Sequence, residues 1–242
     1  MKKVFPILVL LLALGAVSCN KDHPSGRIKK PKAVDIGLVV NGKNIKWANL
    51  DLGASEEGVP GNYYAWGELA PKENYSIGTY SFANEAGKFT KYCWNNDSGK
   101  EYWGGLEETP DDLSVLLPDD DVAHKILGGK WRMPTKEELG ALVKTRSNPE
   151  YSWIPGLIKR EDGSWGHYLV IKQVSTGNYI RLPFSGYWDG EEISSGGFGY
   201  FWASTLSPNA EKAACMKVSS ITSASEEENY RHLGFCIRAV CE

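Results

Sequence analysis

Histidine and methionine are scarce in this 242-residue chain, at four and three residues, and the patterns that bring histidine into catalysis are missing. The sequence holds no His-Glu-x-x-His, no Gly-x-Ser-x-Gly and no glycine loop of the phosphate-binding kind. His23, His124, His167 and His232 are scattered along the chain. Zinc-protease, serine-hydrolase and nucleotide-phosphate chemistry are therefore left without their residues. A strong excess of one charge is also missing. Against 30 Asp and Glu stand 27 Lys and Arg, and no long basic patch is present, so nucleic acid is not an expected partner. No self-similarity at a period of about 20–50 residues is visible, which argues against solenoids and propellers. Beyond residue 18, no apolar run approaches the roughly 20 residues that span a bilayer.

The one long apolar run lies at the start. Met1-Lys2-Lys3 is basic, and Val4 to Val17 is almost wholly apolar but too short to cross a membrane. A basic start, a short apolar stretch and small residues at its end are the marks of a secretory signal. Ala16-Val17-Ser18-Cys19 resembles the lipobox cut by lipoprotein signal peptidase. The resemblance implies cleavage before Cys19, acylation of its thiol, and a bilayer as partner. Asn20-Lys21-Asp22 is similar to the Lys-acidic signal that surface-exposed lipoproteins of the Bacteroidota carry. It implies an outer-membrane lipoprotein exposed at the cell surface, with a periplasm-facing anchor as the alternative. The reading divides the chain into a signal at 1–18, a lipidated flexible tether at 19–33 and a domain at 34–242. Residues 20–33 hold two Pro, one Gly and six basic residues counting His23, too little apolar surface for a core. Loss of Lys2 and Lys3 leaves 25 basic against 30 acidic side chains.

The remaining chain is rich in aromatics, with nine Trp and twelve Tyr, and in Gly, with 26. That mixture predicts many short strands joined by turns. Asn41-Gly42 between apolar runs predicts a hairpin over Val34 to Leu52. Tyr63 to Glu68 reads as another β segment, and residues 70–118 as loop. Asp119 to Asp121 before Val122 to Leu127, with Gly128-Gly129 after, predicts a short helix. Thr135 and Glu138 form a capping box for a second helix with Leu139, Leu142 and Val143 on one face. Tyr168 to Val174 and Asn178 to Phe184 flank a turn. Tyr200 to Thr205, Ala213 to Val218 and Gly234 to Val240 are three further strand candidates, and Ser219 to Tyr230, with Glu226-Glu227-Glu228, reads as a polar loop.

Several segments together resemble the Fibrobacter succinogenes major paralogous domain. They include Val34-Asp35-Ile36-Gly37-Leu38, Tyr63-Tyr64-Ala65-Trp66-Gly67-Glu68 and Gly128-Gly129-Lys130-Trp131-Arg132-Met133-Pro134-Thr135. Tyr200-Phe201-Trp202-Ala203-Ser204 and the terminal Gly234-Phe235 with Ile237-Arg238-Ala239-Val240-Cys241-Glu242 complete the series. The match runs in order from about residue 34 to the C-terminus. The Trp-Arg-Met-Pro-Thr and Gly-Phe-x-x-Arg segments also echo formylglycine-generating-enzyme-like and C-type-lectin-like domains. The resemblance implies an α+β domain of short twisted antiparallel strands, two helices and long irregular loops. It implies no particular activity.

Four cysteines remain after Cys19, and outside the cytoplasm an even number invites two disulfides in any of three connectivities. Cys215 and Cys236 lie on consecutive strand candidates and are expected to pair, which leaves Cys93 for Cys241. Cys236 and Cys241 resemble in spacing the copper-binding pair of formylglycine-generating enzymes. That pair, however, precedes the terminal strand in those enzymes, whereas both cysteines fall inside it here. Asp111, Asp112, Asp119 to Asp121 and Glu226 to Glu228 are oxygen donors of the kind calcium takes. Helix capping and a solvated loop account for most of them, so no cofactor or metal site is expected, calcium remaining the one open option.

The aromatic loops are the better functional lead. Tyr92, Trp94, Tyr102 and Trp103 lie among Asn, Asp, Gly and Glu, and Tyr187, Trp188 and Asp189 form a second group. Flat rings stack on the apolar faces of sugars and anchor protein contacts, while nearby polar groups orient the ligand. The expectation is a non-enzymatic, membrane-anchored binding protein for a glycan or an envelope or host protein. The alternatives are an enzyme, as a copper-dependent thiol oxidase or a glycan hydrolase, and a structural or adhesin component. Glycan hydrolysis needs only two well-placed carboxylates, and nothing in the sequence selects a pair.

Overall fold

Turn chemistry sets the first hairpin. Asn41 and Gly42 both have positive φ, 50° and 77°, the conformation that folds β1 (Ala33–Val40) back onto β2 (Lys43–Ala48). The computed structural model describes residues 28–93, 111, 113–219 and 223–242. Within them the chain is mainly β, with two short α-helices. No helix among these residues is long and apolar enough to cross a membrane.

Both helices begin as their caps dictate. In α1 (Val122–Leu127) the Asp121 side chain accepts from the His124 amide, and Gly128 closes the helix. In α2 (Lys136–Lys144) Thr135 and Glu138 cap each other reciprocally. Glu138 also takes both nitrogens of the Arg132 fork, at 2.6 and 2.7 Å, and the Met133 amide donates to Asp121. The Trp-Arg-Met-Pro-Thr segment is thus the joint between the two helices.

Further strands are β3 (Tyr63–Tyr64), β4 (Tyr151–Lys159), β5 (Trp165–Gln173), β6 (Tyr179–Pro183), β7 (Tyr187–Asp189) and β8 (Glu192–Ser194). The chain ends with β9 (Phe198–Leu206), β10 (Lys212–Ser219), β11 (Ser223–Tyr230), β12 (Phe235–Cys236) and β13 (Val240–Cys241). They form a five-stranded sheet in the order β11-β10-β9-β12-β3, two three-stranded sheets, β1-β2-β13 and β4-β5-β6, and the β7–β8 ribbon. Helix α2 packs across β9, β10 and β11.

Two expectations change here. Ser219 to Tyr230 is not a polar loop: from Ser223 it is β11, paired along its whole length with β10. Its glutamates sit on an edge strand, where charge deters pairing with another chain. The stretch from Gly234 to Val240 is two strands in different sheets, β12 between β9 and β3, and β13 against β2.

Among the described residues neither expected disulfide is formed. Cys215, Cys236 and Cys241 are buried thiols. Cys215 sits opposite Trp202 and Cys236 opposite Phe201, on the two sides of β9. Two strand spacings separate them by roughly 9–10 Å, beyond the reach of a disulfide. Their side chains also enter different core clusters. Cys93 packs with Tyr80 and Phe89, while Cys241 lies on β13 beside β2. Cys236 and Cys241 are likewise separate buried thiols, on strands of different sheets.

The core is built on rings. Trp202 and Phe235 stack at 4.1 Å, and Trp66 meets Tyr92 edge-on at 5.0 Å. The indoles of Trp66 and Trp202 donate to the Ala203 and Tyr64 carbonyls, so these tryptophans are structural. Arg231 is fully buried. Its guanidinium lies 4.3 Å from the Phe89 ring centroid and donates to the Tyr80 hydroxyl and to the Lys91, Tyr92 and Ala210 carbonyls. This one side chain fastens the 75–93 loop to the end of β11.

Candidate functional site

Period-two alternation splits the Tyr187-Trp188-Asp189 group. Tyr187 and Asp189 face a cleft of about 400 Å³ that is also lined by Tyr200, Asn229, Tyr230, His232 and Phe235. Trp188 turns the other way and packs against Tyr63 and Tyr75, each at 6.3 Å. Two of the three expected residues therefore share a site, and the third belongs to the core beneath the loop.

The floor of the cleft continues the ring stack of the core. Phe235 stacks on Tyr200 at 4.7 Å and meets Tyr187 edge-on at 5.9 Å, and Tyr187 meets Tyr200 edge-on at 5.5 Å. One wall is Tyr230 stacked on His232 at 5.8 Å, with Tyr230 46% exposed. A second hollow of about 580 Å³ lies beyond that wall, lined by Ile77, Glu85, Phe89 and Glu211 and again by Tyr230 and His232. The two hollows thus share their aromatic partition.

Charges sit at the edges. Lys217 Nζ is 5.5 Å from the Tyr200 ring centroid and Lys212 Nζ is 5.1 Å from that of Tyr230, so both rings are polarised by a cation. Burial lowers the His232 pKa from its ordinary value against the opposing charge of Asp189. Burial raises the Glu211 carboxyl, and Lys212 opposes it. The site therefore presents a neutral imidazole, phenols, an amide and a carboxylate around ring faces. Asn229 additionally donates to the Cys215 sulfur at 3.8 Å, which holds its amide in place.

Tyr92 is not part of this site. Its ring is fully buried between Trp66 and Phe82, its hydroxyl donates to Asp120, and its backbone sits at φ 58°. Trp94, Tyr102 and Trp103 lie outside the described residues, as does Cys19. The acidic residues have other partners. Asp111 accepts from the Tyr92 and Cys93 amides, Asp120 pairs with Lys91, and Glu228 accepts from Ser207. Three further lining residues, Asn229, Tyr230 and His232, are not among the expected site residues. They lie at and just beyond the end of β11, a strand hidden by its three glutamates.

No family model, curated protein or solved structure matches this chain.

Proposed function

We propose that the protein is a non-enzymatic saccharide-binding lipoprotein of the cell envelope, anchored by acylated Cys19 and holding its ligand in the cleft between Tyr187 and Tyr230. One observation carries the reading: Tyr187, Tyr200, Tyr230 and His232 converge on one cleft together with Asp189 and Asn229. Ring faces cover the apolar side of a pyranose, and a carboxylate and an amide at the rim can bond its hydroxyls. The small antiparallel sheets, two helices and long irregular segments support a C-type-lectin-like arrangement for the domain. The lipobox-like Ala16 to Cys19 supports the anchor, and Asn20-Lys21-Asp22 supports exposure at the cell surface.

The test is a broad glycan array probed with the mature protein, followed by calorimetry on the best ligand. Binding that falls about tenfold or more in Tyr230→Ala, as loss of an interface anchor predicts, supports the reading. An array without any hit sinks it, as does a hit that Tyr230→Ala and Asp189→Ala both leave unchanged. Capture of an envelope protein by the wild type but not by Tyr230→Ala moves the ligand from sugar to protein.

A further inference from the structure

The β4–β5 hairpin ends in an apolar overhang. Strand β6 covers β5 only from Tyr168 to Lys172, so the Trp165 end of β5 and the Lys159 end of β4 extend past it as a two-stranded ribbon. Opposed residues of the pair share a face, which puts Leu157 and Lys159 with Trp165 and His167. Nearer the body, this same face carries Leu169 and Ile171 into the core. At the overhang it is open, with Leu157 56% and Trp165 62% exposed. Ile193 on the neighbouring β7–β8 ribbon is 45% exposed. Water does not favour three large apolar side chains at one end of a domain.

The entry point of the chain says what covers them. Ile28 packs on the core, the Lys32 amide donates to Asn49 Oδ1, and Lys29 Nζ donates to the Ser55 carbonyl. The free part of the expected tether is therefore shorter than the stretch to residue 33. Ser55 lines one hollow of about 410 Å³ with Arg160, Glu161 and Asp162 of the hairpin turn and with Ile193. Ten residues separate Cys19 from Lys29, a span of at most about 36 Å when fully extended. A lipid on Cys19 would hold the bilayer within that reach of Lys29, on the side of the domain where Ser55 meets the hairpin turn and Ile193.

We propose that the β4–β5 overhang is a second membrane contact, in which Leu157, Trp165 and Ile193 enter the headgroup region of the bilayer. This rests on the acylation of Cys19. Tryptophan with an aliphatic neighbour is the pairing that settles at the headgroup level. Exposed Lys29, Lys30 and Lys32 add positive charge at the chain entry, whereas Lys159 and Arg160 are balanced by Glu161 and Asp162 in the turn. The contact is thus apolar at the hairpin and electrostatic at the tether. Because the lipid keeps the domain at the surface, even a weak apolar contact is populated at the resulting effective concentration. The Tyr187–Tyr230 cleft would then be held in a fixed attitude to the membrane.

The experiment uses the full mature chain, purified after processing and reconstituted in phosphatidylethanolamine–phosphatidylglycerol vesicles with and without brominated acyl chains. Intact mass first reports whether Cys19 is acylated. With acylated protein, brominated lipid should quench tryptophan fluorescence, and Trp165→Phe should cut that quenching about two-fold or more, as expected if Trp165 is the ring at headgroup depth. Leu157→Asp with Ile193→Asp, in a chain keeping Trp165, should cut it to a similar extent while the thermal unfolding midpoint stays unchanged. Equal quenching in the wild type and all these variants overturns the membrane contact and leaves the anchor standing. A Cys19 that carries no acyl group overturns both.

Discussion

Arg238 Nε and Nη2 approach the same oxygen of Asp51, at 2.7 and 2.6 Å, and neither side chain has any exposed surface. The remaining donors of Arg238 reach the Ala48 and Arg181 carbonyls, so its charge is fully satisfied. Asp51 is not: Oδ2 is buried without a hydrogen-bond partner among the described residues. Burial pushes its carboxyl up to about 6 against the lowering influence of Arg238. The arginine of the terminal Gly-Phe-x-x-Arg segment is therefore a structural ion pair that ties the C-terminus to the loop after β2.

Arg238→Met should destabilise the protein by about 3–5 kcal/mol, because it leaves the buried Asp51 carboxyl without its partner, either as an unpaired charge or protonated at a cost at neutral pH. The double variant with Asp51→Leu should recover much of that loss. The sign of the pH dependence follows from the raised carboxyl. The folded form binds the proton more tightly than the unfolded form, so this contribution is present at acid pH and lost as pH rises. Without Arg238 the carboxyl rises further, so the deficit of the single variant should shrink between pH 7 and pH 5. Denaturant midpoints at the two pH values check this.

His232 gives the opposite slope. Its folded pKa is depressed, chiefly by burial, so its contribution to stability is present above the ordinary histidine value of about 6.5 and fades as pH falls. His232→Gln should flatten the dependence of the unfolding midpoint on pH below neutrality. Titration of the imidazole proton resonances should place the wild-type transition below 6.5. A transition above that value would show that Asp189 outweighs burial.

The thiols of Cys215 and Cys236 should react slowly. Burial pushes Cys215 up to about 12 and raises Cys236 as well, so almost no thiolate is present at neutral pH. Native protein should give little fast labelling with a maleimide at these positions, and denatured protein should give labelled Cys215, Cys236 and Cys241. Peptide mapping that finds a Cys215–Cys236 disulfide would contradict the strand order around β9.

Removing Tyr187 should separate the cleft from the core. Its ring touches Phe198, Tyr200 and Phe235, so Tyr187→Ala should cost both saccharide affinity and about 1–3 kcal/mol of stability. Tyr230→Ala, at a half-exposed position, should cost affinity with less than about 1 kcal/mol of stability. Parallel calorimetry and denaturant unfolding distinguish the two.

Local signals were legible in the sequence and distant ones were not. The Asn41-Gly42 turn, the Asp121 cap and the Thr135–Glu138 box each act within a few residues, and each appears where the residues place it. The hairpin around Ser175 to Gly177 is of the same kind. What the sequence concealed depends on pairing across the sheet. Glu226 to Glu228 look like a solvated loop because an edge strand needs only one neighbour, β10, and can face its charges outwards. Reading that strand as loop hid Asn229, Tyr230 and His232, and with them half of the cleft. Cys215 and Cys236 are on sequential strand candidates, but β12 enters the sheet on the far side of β9. Nothing near either cysteine announces that crossing.

The last eight residues close two sheets at once, β12 seating against β9 and β3, and β13 against β2. Val240 also exchanges both backbone hydrogen bonds with Arg132 at the joint between the helices. These partners lie up to nearly the whole domain length away in sequence. Pairing of such long range slows folding, because loop closure must be completed before these contacts form. Removal of residues 235–242 would leave both sheets with an open seam.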